Sequence, residues 1–320
     1  MNCKKIFIAK ERRVFIDTYI IEDSKNFQHN LIRPVVIICP GGGYRYLSDR
    51  ESMPIALQFV AAGFHTIVLH YGVNEFAPMP GPLKDLADTV SYVRRHCREW
   101  HVNPDQIYVC GFSAGAHVAA SLGVFWNNAL QLPDYADCPE LIRPNGMILG
   151  YPVLDLASSS NHLDIGTTPD MKISDIKYEM IHPNMPLEQI FIMDKREKRY
   201  FVNFEAAMNA YIFGGPYTKE MEKFYSLQNQ VSIDTPPTFI WHTAQDQLIF
   251  PSNAIKFVTA LEKFHIPYEL HIFGDGGHGL ALGNYMTAHD ETQVVDAIQP
   301  WKDLALSWLH RQTGFKRAFE

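Results

Sequence analysis

The chain has 320 residues, 47% of them hydrophobic, and a formal net charge of −7. That length and apolar content suffice for one sizeable core carrying an insertion. The acidic balance leaves no basic excess to neutralise phosphates, so nucleic acid is not an expected partner. No window approaches 18 uninterrupted apolar residues, so no membrane span is expected.

The N-terminal stretch MNCKKIFIAKERRVFIDTYI has a short apolar run broken by charge and no small-residue cleavage site, so it does not read as a secretory signal. The five cysteines, Cys3, Cys39, Cys97, Cys110 and Cys138, are an odd number at irregular spacing with no CxxC pair. Neither a disulfide framework nor a zinc clip is predicted, and a reducing cytoplasm fits best. Cys39 and Cys110 sit in apolar runs and are expected to be buried thiols.

In chain order, residues 5–21 alternate and predict one or two strands at an antiparallel edge. Pro34–Cys39 is a continuous β-branched run ending at Pro40-Gly41-Gly42-Gly43, the pattern of a strand buried on both faces. Residues 50–62 predict a helix closed by Gly63, and Thr66–Tyr71 a second buried strand. Pro82 opens a helix with Leu83, Leu86, Val90 and Val93 at helical spacing. Ile107–Cys110 is a third strand, followed by a helix over 114–125. Further strands are predicted at Gly146–Val153, Thr238–Thr243 and Tyr268–Phe273, and helices at Asn253–Phe264 and Val294–His310. Strands alternating with helices predict an α/β fold with a mostly parallel sheet covered on both sides. Residues 155–225 break this rhythm and are too long for a simple crossover. They run from polar (Ser158-Ser159-Ser160-Asn161) through charged (Asp194–Arg199) to aromatic (Tyr200, Phe201, Phe204, Tyr211, Phe213), and predict a helical lid inserted in one 320-residue domain.

The third strand runs into Gly111-Phe112-Ser113-Ala114-Gly115. A serine hydroxyl becomes a useful nucleophile when it is exposed, has a base in reach and has donors for the oxyanion it creates. A sharp strand-to-helix turn at Ser113 provides the exposure. Oxyanion donors are expected from the amides of Ala114, Gly42 and Gly43. The base is expected at His278, in the glycine-rich loop Gly274-Asp275-Gly276-Gly277-His278-Gly279 after the last strand. Its rival His117 lies four residues beyond Ser113 along the helix. The carboxylate is expected at Asp246, after Thr238–Thr243, in preference to Asp275, which shares the small histidine loop. Tyr44, Tyr46 and Tyr71 near the mouth are candidates to stack on a sugar. No cofactor or metal is called for.

Taken together, Cys-Pro-Gly-Gly-Gly-Tyr, Gly-Phe-Ser-Ala-Gly-Ala-His-Val-Ala, Pro-Pro-Thr-Phe-Ile-Trp-His-Thr-Ala-Gln-Asp and Phe-Gly-Asp-Gly-Gly-His-Gly resemble the esterase/lipase branch of the α/β-hydrolase superfamily. The nearer likeness is to acetyl-xylan and feruloyl esterase-like carbohydrate esterases. The resemblance covers most of 30–153 and 235–312 and implies ester hydrolysis through an acyl-enzyme, without a cofactor, on a small-molecule or oligosaccharide ester. Two departures stand out. Pro40 replaces the histidine that precedes the three glycines in the hormone-sensitive-lipase-like branch, so the loop must be supported differently. The 155–225 insertion is also longer than the group leads one to expect. Alternatives are an amidase or peptidase on the same fold, and a non-catalytic ligand-binding module on a hydrolase scaffold.

Overall fold

The computed structural model describes residues 1–24, 31–157, 162–169 and 171–315. The polar stretch Ser158–Asn161 lies outside the described residues. The main sheet has eight strands: β1 (Asn2–Ala9), β2 (Val14–Ile20), β3 (Arg33–Cys39), β4 (His65–His70), β5 (Val102–Phe112), β6 (Gly146–Gly150), β10 (Thr238–Thr243) and β11 (Tyr268–Phe273). Between β6 and β10 lie β7 (His162–Leu163), β8 (Phe191–Asp194) and β9 (Arg199–Asn203). Spatial order is β1-β2-β4-β3-β5-β6-β10-β11. Within this sheet, among the described residues, only the β1–β2 and β2–β4 pairings are antiparallel, and from β4 to β11 every neighbour is parallel.

Period-two alternation explains why the central strands are apolar at every position. In β3, Val35, Ile37 and Cys39 face one hydrophobic cluster while Val36 and Ile38 face the other. β5 divides likewise, with Ile107 and Val109 on one side and Tyr108, Cys110 and Phe112 on the other. The first face is covered by α2 (Gly81–Arg95), α3 (Ala114–Phe125) and α7 (Ser252–Lys263), the second by α1 (Met53–Ala61) and α8 (Trp301–Thr313). Each fully buried Ile, Val or Leu in these layers contributes about 1.5–3 kcal/mol of transfer free energy. Every residue of α3 is buried, as befits a helix held between the sheet and further layers of chain.

The last helix begins at Trp301, not Val294, because Pro300 takes the N-cap position and short 3-10 turns occupy Glu291–Gln293 and Asp296–Ile298. β6 stops at Gly150, short of Val153. Tyr151 adopts φ 34° and turns the chain out of the sheet. Residues 155–225 are not purely helical. They hold the antiparallel sheet β7-β9-β8 beside α4 (Leu187–Ile190), α5 (Phe204–Phe213) and α6 (Lys219–Tyr225). The charged run Asp194–Arg199 is the turn between β8 and β9, a hairpin that helical reading of the segment overlooks.

One packing constraint reaches the site directly. A Cβ on Gly115 would lie 2.1 Å from the Cys39 carbonyl oxygen and 2.4 Å from that of Pro40. Both are backbone atoms at the end of β3 and cannot swing aside. Gly115→Ala is therefore expected to lower stability by about 1–3 kcal/mol or more and to displace the glycine loop after Pro40. Urea unfolding at pH 7 checks this; unchanged stability would contradict the close approach.

Candidate active site

The side chains singled out above converge at the carboxyl ends of the parallel strands, where open α/β sheets bind ligands. Ser113 follows β5 with φ 51° and ψ −120°, a conformation an L-residue holds only at a cost of about 1–3 kcal/mol. It is held by Ser113 N–H donating to Gly150 O at 3.0 Å and by Val153 N–H donating to Ser113 O at 3.2 Å. The result is a hydroxyl standing at the N-terminus of α3 and clear of the sheet.

His278 Nε2 lies 2.8 Å from Ser113 Oγ, and its Nδ1 lies 2.7 Å from Asp246 Oδ2. Asp246 is 1% exposed. Its other oxygen, Oδ1, accepts the amides of Leu248 and Ile249, each at 2.9 Å. Burial raises the Asp246 pKa, but the His278 charge and hydrogen bond, with help from His242 and the Ile249 amide, outweigh it and hold the carboxyl below its usual value. Since Asp246 accepts at Nδ1–H, His278 presents a bare Nε2 to the serine. Asp275 is exposed and instead accepts from the Gln245 amide at 3.2 Å.

Gly42 and Gly43 follow β3 with φ 127° and 62°. Among the described residues, no acceptor takes the amides of Gly42, Gly43 or Ala114. A Cβ on Gly42 would sit 2.2 Å from the Tyr46 carbonyl, so the loop's tight curl requires glycine there. Two residues from between β6 and β10 lean on this loop. Met180 packs over Gly43, close enough that a Cβ there would meet its methyl at 2.7 Å, and Glu179 pairs with Arg45 at 2.9 Å.

Two of the three tyrosines are not where a sugar could reach them. Tyr44 is 0% and Tyr71 3% exposed. The Tyr44 hydroxyl meets His117 Nδ1 at 2.6 Å, and the Tyr71 hydroxyl donates to Pro40 O at 2.6 Å. Both turn inward because their apolar rings complete the core beneath the loop. Tyr46, at 53% exposed, remains on the surface. His117 is a cross-link: its Nε2–H donates to Tyr225 O at 2.9 Å, so its Nδ1 accepts from Tyr44. It therefore ties α3 to the glycine loop and to α6.

Two residues went unnoticed in the sequence. Glu51, 4% exposed, accepts the Gly41 amide at 2.7 Å and the Tyr151 hydroxyl at 2.6 Å. Tyr151 packs edge-on against the His278 ring at 5.1 Å. An acid beside the first turn of an apolar helix looks like ordinary helix-start chemistry, and a strand-end tyrosine like core. Among the described residues no cluster of His, Cys, Asp and Glu is arranged to hold a metal ion, and no helix is long and apolar enough to cross a membrane.

Residues 20–261 match the BD-FAE family model. Among curated relatives, endo-1,4-beta-xylanase B of Butyrivibrio fibrisolvens is 28% identical over 256 residues, 79% of this chain and 33% of that protein. An acetylxylan esterase of Xylanibacter ruminicola is 24% identical over 269 residues, 83% of this chain and 44% of that protein. The chain thus spans between a third and a half of the length of these relatives. Among solved structures, the α/β hydrolase MGS-M1 from a Medee basin deep-sea metagenome library superposes with a TM-score of 0.69 and 30% identity, covering 98% of this chain and 99% of that one. The carboxylesterase Cest-2923 of Lactobacillus plantarum gives a TM-score of 0.74 and 27% identity over 99% of this chain and 100% of that one. With its mostly parallel sheet and the serine at its sharp turn, the chain is an esterase-like α/β hydrolase and belongs to the BD-FAE family.

Proposed function

We propose that this protein is a serine carboxylic-ester hydrolase acting on short acyl esters, with acetylated sugars such as xylan fragments as its substrates. The observation that carries the reading is the unbroken relay of 2.8 and 2.7 Å from Ser113 through His278 to Asp246, beside amides that have no acceptor among the described residues. His278 Nε2 takes the hydroxyl proton as Ser113 Oγ attacks the ester carbonyl. Asp246 fixes the tautomer and stabilises the imidazolium. The amides of Gly42, Gly43 and Ala114 donate to the oxyanion, reinforced by the N-terminus of α3. His278 then gives its proton to the leaving alcohol, and water repeats the cycle on the acyl-enzyme. No step calls for a cofactor.

The sugar-ester assignment is supported by the likeness to an acetylxylan esterase and to a protein described as an acetyl ester-xyloside bifunctional hydrolase from Caldicellulosiruptor lactoaceticus, 25% identical over 98% of this chain. Tyr46, on the surface beside Gly42, is the stacking candidate. Met180 and Glu179, between β6 and β10, roof the glycine loop at Gly43 and Arg45. The test is hydrolysis of p-nitrophenyl acetate, butyrate and octanoate beside acetylated xylo-oligosaccharides. Acetate is expected to be cleaved faster than octanoate by about tenfold or more, the scale on which a pocket discriminates a few methylenes, with acetate released from the sugars. Fast cleavage of the acetate ester without sugar deacetylation would remove the carbohydrate assignment. No ester cleavage together with no fluorophosphonate labelling would remove the esterase itself.

A further inference from the structure

We propose that Glu51 is a positioning residue that holds the oxyanion loop and the His278 loop in mutual register through one buried carboxylate. The inference rests on the ester-hydrolase reading and adds to it the loop support that Pro40, standing where a histidine would, leaves unassigned.

Glu51 lies in the turn Asp49–Glu51 just before α1. Its Oε2 accepts from the Gly41 amide at 2.7 Å, one residue before the proposed oxyanion donors. Its Oε1 accepts from the Tyr151 hydroxyl at 2.6 Å, and the Tyr151 oxygen in turn accepts the Ala281 amide at 3.1 Å. Ala281 is three residues beyond His278, and the Tyr151 ring meets the His278 ring at 5.1 Å and 72°. One side chain therefore spans the end of β3, the end of β6 and the loop after β11.

Both Glu51 oxygens accept from neutral donors, and the Tyr151 oxygen is already committed to Ala281, so the pattern is satisfied by the carboxylate form. Burial raises the Glu51 pKa above its ordinary value, an effect that the Tyr151 and Gly41 hydrogen bonds and the charges of His278 and Arg50 offset only in part. A buried charge is a costly way to anchor a single loop, because its desolvation is only partly offset. It gains a purpose if positive charge develops nearby on His278 as the serine attacks. Glutamine cannot replace it. Its one acceptor can serve Gly41 or Tyr151 but not both, and its amide would face a hydroxyl whose oxygen is taken.

The test compares Glu51→Gln, Tyr151→Phe and the double variant with wild type on p-nitrophenyl acetate, with thermal unfolding as the check on folding. Glu51→Gln is expected to lower kcat about 10- to 100-fold, with KM within about threefold, the signature of support felt in the transition state. Tyr151→Phe keeps the ring packed on Phe112, Trp241 and His278 and loses only the hydroxyl; a smaller fall of about 3- to 10-fold is expected. The double variant should be no worse than Glu51→Gln alone, because both changes cut one chain of bonds. Wild-type kcat in a folded variant, a rise in KM with kcat intact, or multiplicative losses in the double variant would overturn the proposal. If Glu51→Gln does not fold, Tyr151→Phe decides alone. Ser113→Ala in the same assay separates the two readings. If it keeps turnover, the esterase reading fails. If it is inactive while the Glu51 and Tyr151 variants match wild type, only the positioning role fails.

Discussion

Ser113→Ala is expected to lower kcat on p-nitrophenyl acetate by about 10⁴- to 10⁶-fold, the loss seen when a serine nucleophile is removed and only binding and oxyanion donors remain. The fold should survive. Ser113 Oγ is bonded to His278 Nε2, and losing one such bond costs about 1 kcal/mol. Its backbone geometry, φ 51°, is imposed by the bonds to Gly150 and Val153 and strains alanine and serine alike. His278→Ala should be as damaging. Asp246→Asn is a finer probe. Its remaining oxygen can keep the Leu248 and Ile249 amides, so the loop stays closed. Its NH₂ then faces His278 Nδ1 and drives the imidazole to the tautomer whose protonated Nε2 cannot accept from Ser113. A loss of about 10⁴-fold in kcat follows if Asp246 acts as orienter. Single-turnover and steady-state assays on the three variants read these effects, with thermal unfolding as control. Near-native turnover in Ser113→Ala would dismiss the nucleophile.

Much of this arrangement was legible in the sequence because it is local. The runs Pro34–Cys39, Ile107–Cys110 and Thr238–Thr243 are apolar at every position since each faces two cores, and such runs announce buried parallel strands. Ser113, Asp246 and His278 each stand just after a strand, so strand ends point to them without knowledge of packing. The parts that escaped are those decided by contacts across long sequence separations. Tyr44 and Tyr71 read as mouth aromatics, yet which way a ring turns depends on the core under the loop, and there it finds His117 and Pro40. Glu51 and Tyr151 are 100 positions apart, and neither carries a local signature of their bond. The 155–225 segment misled for a related reason. Its small sheet pairs His162–Leu163 with Val202–Asn203 across about 40 residues, and two-residue strands leave no period to read.

Acid should destabilise the protein well above the range where carboxylates titrate, because three buried histidines are held neutral. His65, His117 and His242 are each lowered to about 4, chiefly by burial. The hydrogen bonds agree. Nδ1 accepts from the Ile21 amide in His65, from the Tyr44 hydroxyl in His117 and from the Thr243 amide in His242, so each proton gained there displaces a donor. Unfolded, each would titrate near 6.5. A histidine whose folded pKa lies below its unfolded value contributes full stability above about pH 6.5 and loses it as pH falls toward 4, since the unfolded chain binds the proton first. Between pH 7 and pH 5 the loss is about 2 kcal/mol per histidine, or about 5–6 kcal/mol for the three. Glu205, pushed up to about 8 chiefly by burial, acts in the opposite sense and returns about 2–3 kcal/mol over that interval. For these four groups the balance is a loss of about 3 kcal/mol between urea denaturation curves at pH 7 and pH 5, with an uptake of about one proton on unfolding; Glu51 and Asp85, raised by burial, offset part of it, and His70 and His182, lowered by burial, add to it. The loss reaches the site as well, since His117 braces the glycine loop and His242 lies 3.9 Å from Asp246. Ring titration near pH 6.5 for these three histidines in the folded protein, followed by NMR, would mean that they are not kept neutral by the fold.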